Sequence, residues 1–130
     1  MAPIEWYDNL IKPDWAPPAS LFGLVWTILY IIILVSFTYA VWLYFSGKIK
    51  RKLLLPFFLN LIFNLIFPSL QFGLHNLWLG MFDIIFIIIT LVWIMHNIYP
   101  RSKFIYYAQF PYLLWVIFAG CLQLAVIILN

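Results

Sequence analysis

Residues 19–45, ASLFGLVWTILYIIILVSFTYAVWLYF, contain no Asp, Glu, Lys or Arg. About 20 helical residues cross a hydrocarbon core, so this run is long enough to span a membrane. Three more runs, at about Leu53–Leu74, Leu77–Ile98 and Phe104–Leu129, are long enough too and hold no such residue but Asp83. They are separated by Ser46-Gly47 and a basic loop, by His75-Asn76, and by Tyr99-Pro100. Lipid offers no partner to an unpaired backbone group, and no barrel-like alternation is present, so each run is read as a helix. The patch IIFIII, residues 84–89, would read as strand in water; run length overrides that propensity here.

Composition agrees. Of 130 residues, 67% are hydrophobic and 8% charged, whereas a soluble domain of this size covers its surface with Lys, Arg, Asp and Glu. The expected class is all-α, a polytopic transmembrane helix bundle of four spans, forming one domain over residues 1–130. Its partner is then the lipid bilayer. The net charge of +3 does not indicate nucleic acid, because the basic residues sit in short loops between apolar runs. Cys121 is the single cysteine; it has no disulfide partner and no metal spacing, and reads as a small packing residue. Glu5, Asp8 and Asp14 without a basic stretch before them give no sign of a cleavable signal.

Loop charge orients the spans. The first connection carries Lys48, Lys50, Arg51 and Lys52, and the third carries Arg101 and Lys103. The second, around His75-Asn76, has no basic residue, and the amino-terminal segment is net acidic. The positive-inside rule then puts both basic loops in the cytoplasm and both termini outside.

Polar residues inside the spans are few. Asn60, Asn64 and Gln71 fall within about 40° of one another on a helix turning 100° per residue, and Phe67 shares their stripe. Such amides serve either as glue between helices or as the polar wall of a ligand pocket. Pro68 cannot donate to the carbonyl of Asn64 and is expected to kink the second span. Trp26, Tyr30 and Phe37 share one face of the first span, and Trp115, Ala119 and Leu122 one face of the fourth, where Pro111 frees the carbonyl of Tyr107. Plain packing explains such stripes, but ring-lined faces also suit a flat aromatic guest. Trp42, Trp78, Trp93 and Tyr99 lie nearer span ends and read as interfacial anchors. Asp83 is the one carboxylate inside a span; it either reaches the interface, caps a backbone or meets a ligand, and its isolation argues against a proton-coupled pump. His75 and His96 have no companions at metal or haem spacing. No metal-ligand set, nucleophile–base pair or cofactor motif is present, so no catalytic residue is assigned and no cofactor is required.

WYDNLIKPDWAPPASLFGLVWTILY, residues 6–30, resembles the W-Y-x-x-L-x-K-P-x-W-x-P-P…V-W-T-x-L-Y segment of the translocator protein family (TspO/MBR, the tryptophan-rich sensory proteins). FNLIFPSLQFG, residues 63–73, is similar to the family's L-N-x-x-W-S-x-x-F-F-G segment, keeping Asn64 and Gly73 but with Phe67, Pro68 and Gln71 at family-variant positions. PYLLWVIFAGCLQLAVIILN, residues 111–130, is similar to its closing helix. The resemblance runs along nearly the whole chain in the right order.

It implies a helix bundle in a bacterial cell membrane that binds porphyrins such as protoporphyrin IX, or similar flat hydrophobic molecules, beneath a proline-bounded lid, residues 1–18. Carried over by motif position, Tyr7, Trp15, Pro17, Trp26, Tyr30, Asn64, Phe67, Asp83, Trp115 and Ala119 line the lid and cavity. Trp26 and Trp115 match the pair implicated in light-dependent porphyrin breakdown. That activity, or transport of small hydrophobic molecules, is the alternative to binding and sensing. Family members have five spans; the one missing here is the span that normally precedes the W-Y-x-x-L segment, and a homodimer could supply the absent wall.

Overall fold

The computed structural model describes residues 9–130, apart from the side chains of Ala19, Ser20 and Phe72. Those residues form α1 (Ala19–Phe45), α2 (Leu55–Pro68), α3 (Leu77–Ile98), α4 (Lys103–Ala108) and α5 (Phe110–Leu129), with no strand among them. They give four segments long and apolar enough to cross a membrane: residues 21–45, 51–71, 77–98 and 103–129. The second span begins as a 3₁₀ turn, Arg51–Leu54, and the fourth consists of α4 and α5 together.

Local chemistry fixes the ends. Pro18 holds extended backbone (φ −66°, ψ 153°) immediately before α1. At the far end Lys48 N–H donates to Leu43 C=O at 2.9 Å and Gly47 N–H to Tyr44 C=O at 3.1 Å. This closure needs a left-handed residue just past the helix, and Gly47 supplies it at φ 76°. Asn76 caps α3 by accepting from Leu79 N–H at 3.1 Å, and Ser102 caps α4 by accepting from Ile105 N–H at 3.3 Å.

The second span is distorted at its proline, as expected, and the fourth is interrupted where no break was expected. After Pro68 the second span does not simply kink; it widens into a π turn over Ser69–Gly73, with Leu74 N–H donating to Ser69 C=O at 2.9 Å. The fourth span, expected as one run from Phe104 to Leu129, is interrupted at Gln109, between α4 and α5. Pro111 sits in the first turn of α5, where its missing N–H costs nothing.

α3 is the central helix, packed most extensively against α2 and then α5. One core, near the two basic loops, gathers Leu43, Ile49, Leu53, Phe57, Ile94, Ile98 and Ile105. A second, midway, gathers Leu29, Ile33, Ile87, Leu91, Met95, Tyr112 and Val116. The outer faces are apolar as well: Leu24, Ile31 and Leu34 on α1 and Phe82, Phe86 and Ile89 on α3 are exposed. In water such continuous patches mark a partner surface; on four spanning helices they face acyl chains.

Because lipid tails are as apolar as leucine, close packing and interhelical hydrogen bonds hold such helices together. Two buried polar groups do so here. In the first, Asn60 Nδ2 donates to Thr90 Oγ1 at 3.0 Å and Ile87 C=O at 3.2 Å, tying α2 to α3. Tyr112 Oη donates to Asn60 Oδ1 at 3.0 Å and accepts from Asn64 Nδ2 at 2.6 Å, tying α5 to α2. In the second, Gln123 Nε2 donates to Leu77 C=O at 2.7 Å and to Gln71 Oε1. Gly80 makes room for that pair, since a Cβ there would run into both amide ends.

Candidate functional site

Trp26 and Tyr30 of the first-span stripe and Trp115 of the fourth pack on one core, whereas Phe37 lies edge-on to Phe57 of α2 at 6.1 Å. α1 runs antiparallel to the fourth span, with Phe22 edge-on to Trp115 at 5.6 Å and Tyr39 edge-on to Phe104 at 5.6 Å. Trp26 and Tyr30 lie against each other at 5.9 Å. Trp115 lies 5.3 Å from Phe118 on its own helix. Trp26, Tyr30 and Trp115 all pack, partly buried, on the same midway core. The two indoles therefore border one core, built from α1, α3 and α5.

The polar wall of that region comes from α2 and α3. Asn64 and Asp83 are 1% and 3% exposed, which removes the interfacial reading of Asp83. Asn64 is bonded to Tyr112, and Tyr30 and Asp83 are near enough to Tyr112 to act on it electrostatically. Among the described residues three buried atoms have no hydrogen-bond partner: Asn64 Oδ1, Asp83 Oδ2 and Trp115 Nε1. Leaving a buried polar group unpaired costs about 1–3 kcal/mol, so two acceptors and one donor left this way are a costly arrangement for packing alone.

The leader is fastened to the same helix. Asn130 Nδ2 donates to Ile11 C=O at 2.8 Å while Ile11 N–H donates to Asn130 Oδ1 at 3.1 Å. Trp15 then packs edge-on against Phe118 at 5.7 Å, with half its surface exposed. From Asn130 to Phe118 is roughly 18 Å of helix, more than four residue steps span, so residues 11–15 run as a strap along α5 with the Trp15 side chain completing the reach. The three consecutive contacts, Ile11 with Asn130, Trp15 with Phe118 and Phe22 with Trp115, lead the strap into the aromatic region.

Of the other residues carried over by resemblance, Tyr7 lies outside the described residues. Pro17, Phe67 and Ala119 are partly buried. Sequence reasoning missed Tyr112, Thr90, Gln123 and Phe118. Tyr112, Val116, Gly120 and Gln123 follow one another at helical spacing and all are buried, so the polar ends of that stripe were a usable signal. Among the described residues no group of His, Cys, Asp and Glu is placed to hold a metal ion.

Four apolar spanning helices, joined through apolar cores and two buried polar ties, define an integral, multi-pass membrane protein. The chain belongs to the TspO/MBR family, which it matches over residues 1–129. It is 34% identical over 126 residues to the tryptophan-rich protein TspO of Bacillus cereus, an alignment covering 96% of this chain and 80% of that one. To the TspO of Archaeoglobus fulgidus it is 35% identical over 128 residues, covering 96% and 80%. The human translocator protein is 28% identical over 131 residues, covering 95% and 73%. Membership places the chain among the TspO family's membrane sensor and translocator proteins.

Proposed function

We propose that this protein is a membrane receptor for flat, hydrophobic tetrapyrroles, with protoporphyrin IX as the representative ligand, and that the ligand lies between α1 and α5. The reading is supported by the packing of Trp26, Tyr30 and Trp115 on the core that holds Tyr112, together with the unpaired buried atoms of Asn64, Asp83 and Trp115. A planar macrocycle gains dispersion and stacking over its whole area against Trp26, Tyr30 and Trp115. Asn64 Oδ1 and Asp83 Oδ2 offer acceptors for pyrrole N–H groups, and Trp115 Nε1 offers a donor to a ligand carboxylate. A few placed polar groups in an apolar wall are the usual make-up of a small-molecule site. The strap carrying Trp15 closes the outer side of α5, and its prolines restrict the alternatives the free chain would otherwise sample. In this reading both termini lie on the outer side of the membrane and the basic loops in the cytoplasm.

Titration with protoporphyrin IX in detergent, followed by quenching of tryptophan emission, tests the proposal. Saturable quenching is expected, and Trp115→Ala should weaken binding by about 1 kcal/mol or more, roughly five- to tenfold, from lost stacking. Equal, non-saturating quenching of the wild type and a Trp26→Phe/Trp115→Phe variant would mean partition into micelles and defeat the reading.

A further inference from the structure

Charge is distributed one-sidedly along the bundle. Lys48, Lys50, Arg51, Lys52, Arg101 and Lys103 all lie at the end formed by the first and third connections. The described carboxylates lie toward the other end. Asp14 is in the strap, and Asp83 is roughly 22 Å along α3 from Ile98. Six cations therefore share one end of the molecule with no described carboxylate to pair them.

A cleft of about 620 Å³ opens at that end, where the last turn of α3 meets α4 and the start of α5. Its polar side is formed by His96, Asn97 and Arg101, its apolar side by Tyr99, Tyr107 and Phe110. Tyr106 braces the ring wall, with edge contacts to Tyr99 at 4.7 Å, Tyr107 at 5.1 Å and Phe110 at 5.2 Å. Arg101 Nη1 donates to Asn97 C=O at 3.0 Å. That bond fixes the guanidinium at the rim and uses one of its five N–H donors. Lys103 Nζ lies 5.9 Å from the Tyr99 ring centre, adding a second cation beside the first. Tyr107 and Phe110 are exposed and continue the apolar outer face of the fourth span.

We propose that this cleft is a headgroup site for an anionic phospholipid. The phosphodiester sits on Arg101 with Lys103 alongside, and the glycerol and upper acyl carbons lie on Tyr107 and Phe110. The planar guanidinium fork matches two phosphate oxygens. Basic pockets between helix ends at the headgroup level recognise acidic lipids in this way. A free anion would use the cations and gain nothing from the exposed ring wall. The site lies in the basic end and does not depend on the tetrapyrrole reading.

Native mass spectrometry of the full chain, offered equal phosphatidylglycerol and phosphatidylcholine, is the test. The wild type is expected to retain phosphatidylglycerol preferentially by about fivefold, the discrimination that one basic residue gives near an acidic surface. Arg101→Gln should abolish most of that preference, and Lys50→Gln, which removes a charge at the same end outside the cleft, should preserve it. Tyr107→Ala should lower retention of the lipid with Arg101 intact, which separates a cleft from bare charge. Equal retention of the two lipids by the wild type would overturn the proposal. So would an equal loss in Lys50→Gln, or no loss in either cleft variant. Displacement of the bound lipid by millimolar inorganic phosphate would replace it with a plain anion site.

Discussion

Tyr112→Phe removes one oxygen atom from the point where three helices meet. The ring remains, so no cavity larger than a hydroxyl is left. Two hydrogen bonds are lost, the one donated to Asn60 Oδ1 at 3.0 Å and the one accepted from Asn64 Nδ2 at 2.6 Å. Neither asparagine atom is stranded. Asn64 Nδ2 still donates to Asn60 C=O at 2.8 Å and more weakly to Asn60 Oδ1 at 3.3 Å. The full penalty for an unpaired buried group therefore does not apply. The bilayer average of about 0.6 kcal/mol per interhelical bond does, giving a loss of about 1.2 kcal/mol. Equilibrium unfolding in mixed micelles reads this directly, and a double-mutant cycle with Asn60→Leu should isolate about 0.6 kcal/mol for the shared bond. A change below about 0.3 kcal/mol would refute the reasoning, because the hydroxyl would then hold no helix to another.

Two further substitutions probe the second polar tie and the strap. Gly80→Ala should gain helix propensity of about 1 kcal/mol yet destabilise the protein in the same unfolding assay, because the new Cβ displaces the Gln71 and Gln123 side chains; net stabilisation would contradict the packing described. Asn130→Ala removes both bonds to the Ile11 backbone, and amide exchange at Ile11 should accelerate by roughly five- to thirtyfold, the factor for one to two kcal/mol. Unchanged exchange would mean that the strap is fastened elsewhere.

The bounds of α1 and α3 were legible from sequence because both runs end at chemical breakers, Gly47 and Asn76 among them, and lipid leaves a long apolar run no alternative to helix. The second and fourth spans were less so. Proline announces that a ladder bond is lost but not how the neighbouring turns recover it, and a π turn after Pro68 and a break at Gln109 are different solutions. The Asn60–Asn64–Gln71 stripe followed from helical period alone. Its partners did not, since a buried tyrosine among aromatic residues looks like any other core ring until a second helix is placed against it. Gly80 carried no visible signal; its role exists only through two glutamine side chains from other segments. The anchoring of the strap was unreadable for the same reason, since it depends on the meeting of Ile11 with Asn130.

The polar ties are also unequal among the helices, and this bears on how a guest could enter. α2, α3 and α5 are joined by the asparagine–tyrosine group and by the glutamine pair. Among the described residues α1 has one interhelical side-chain hydrogen bond, from Gln109 Nε2 to Ser36 Oγ at 2.8 Å. It is otherwise held by apolar packing, through Leu29, Ile33, Ala40 and Leu43, and by ring contacts. Packing between helices in lipid lacks the hydrophobic drive it has in water. The wall bearing Asn64 and Asp83 is therefore the stiff side of the candidate site, and the wall bearing Trp26 and Tyr30 the compliant one. A planar ligand held between Trp26 and Trp115 would join α1 to α5 where side-chain hydrogen bonds do not, so occupancy and the docking of α1 would reinforce each other.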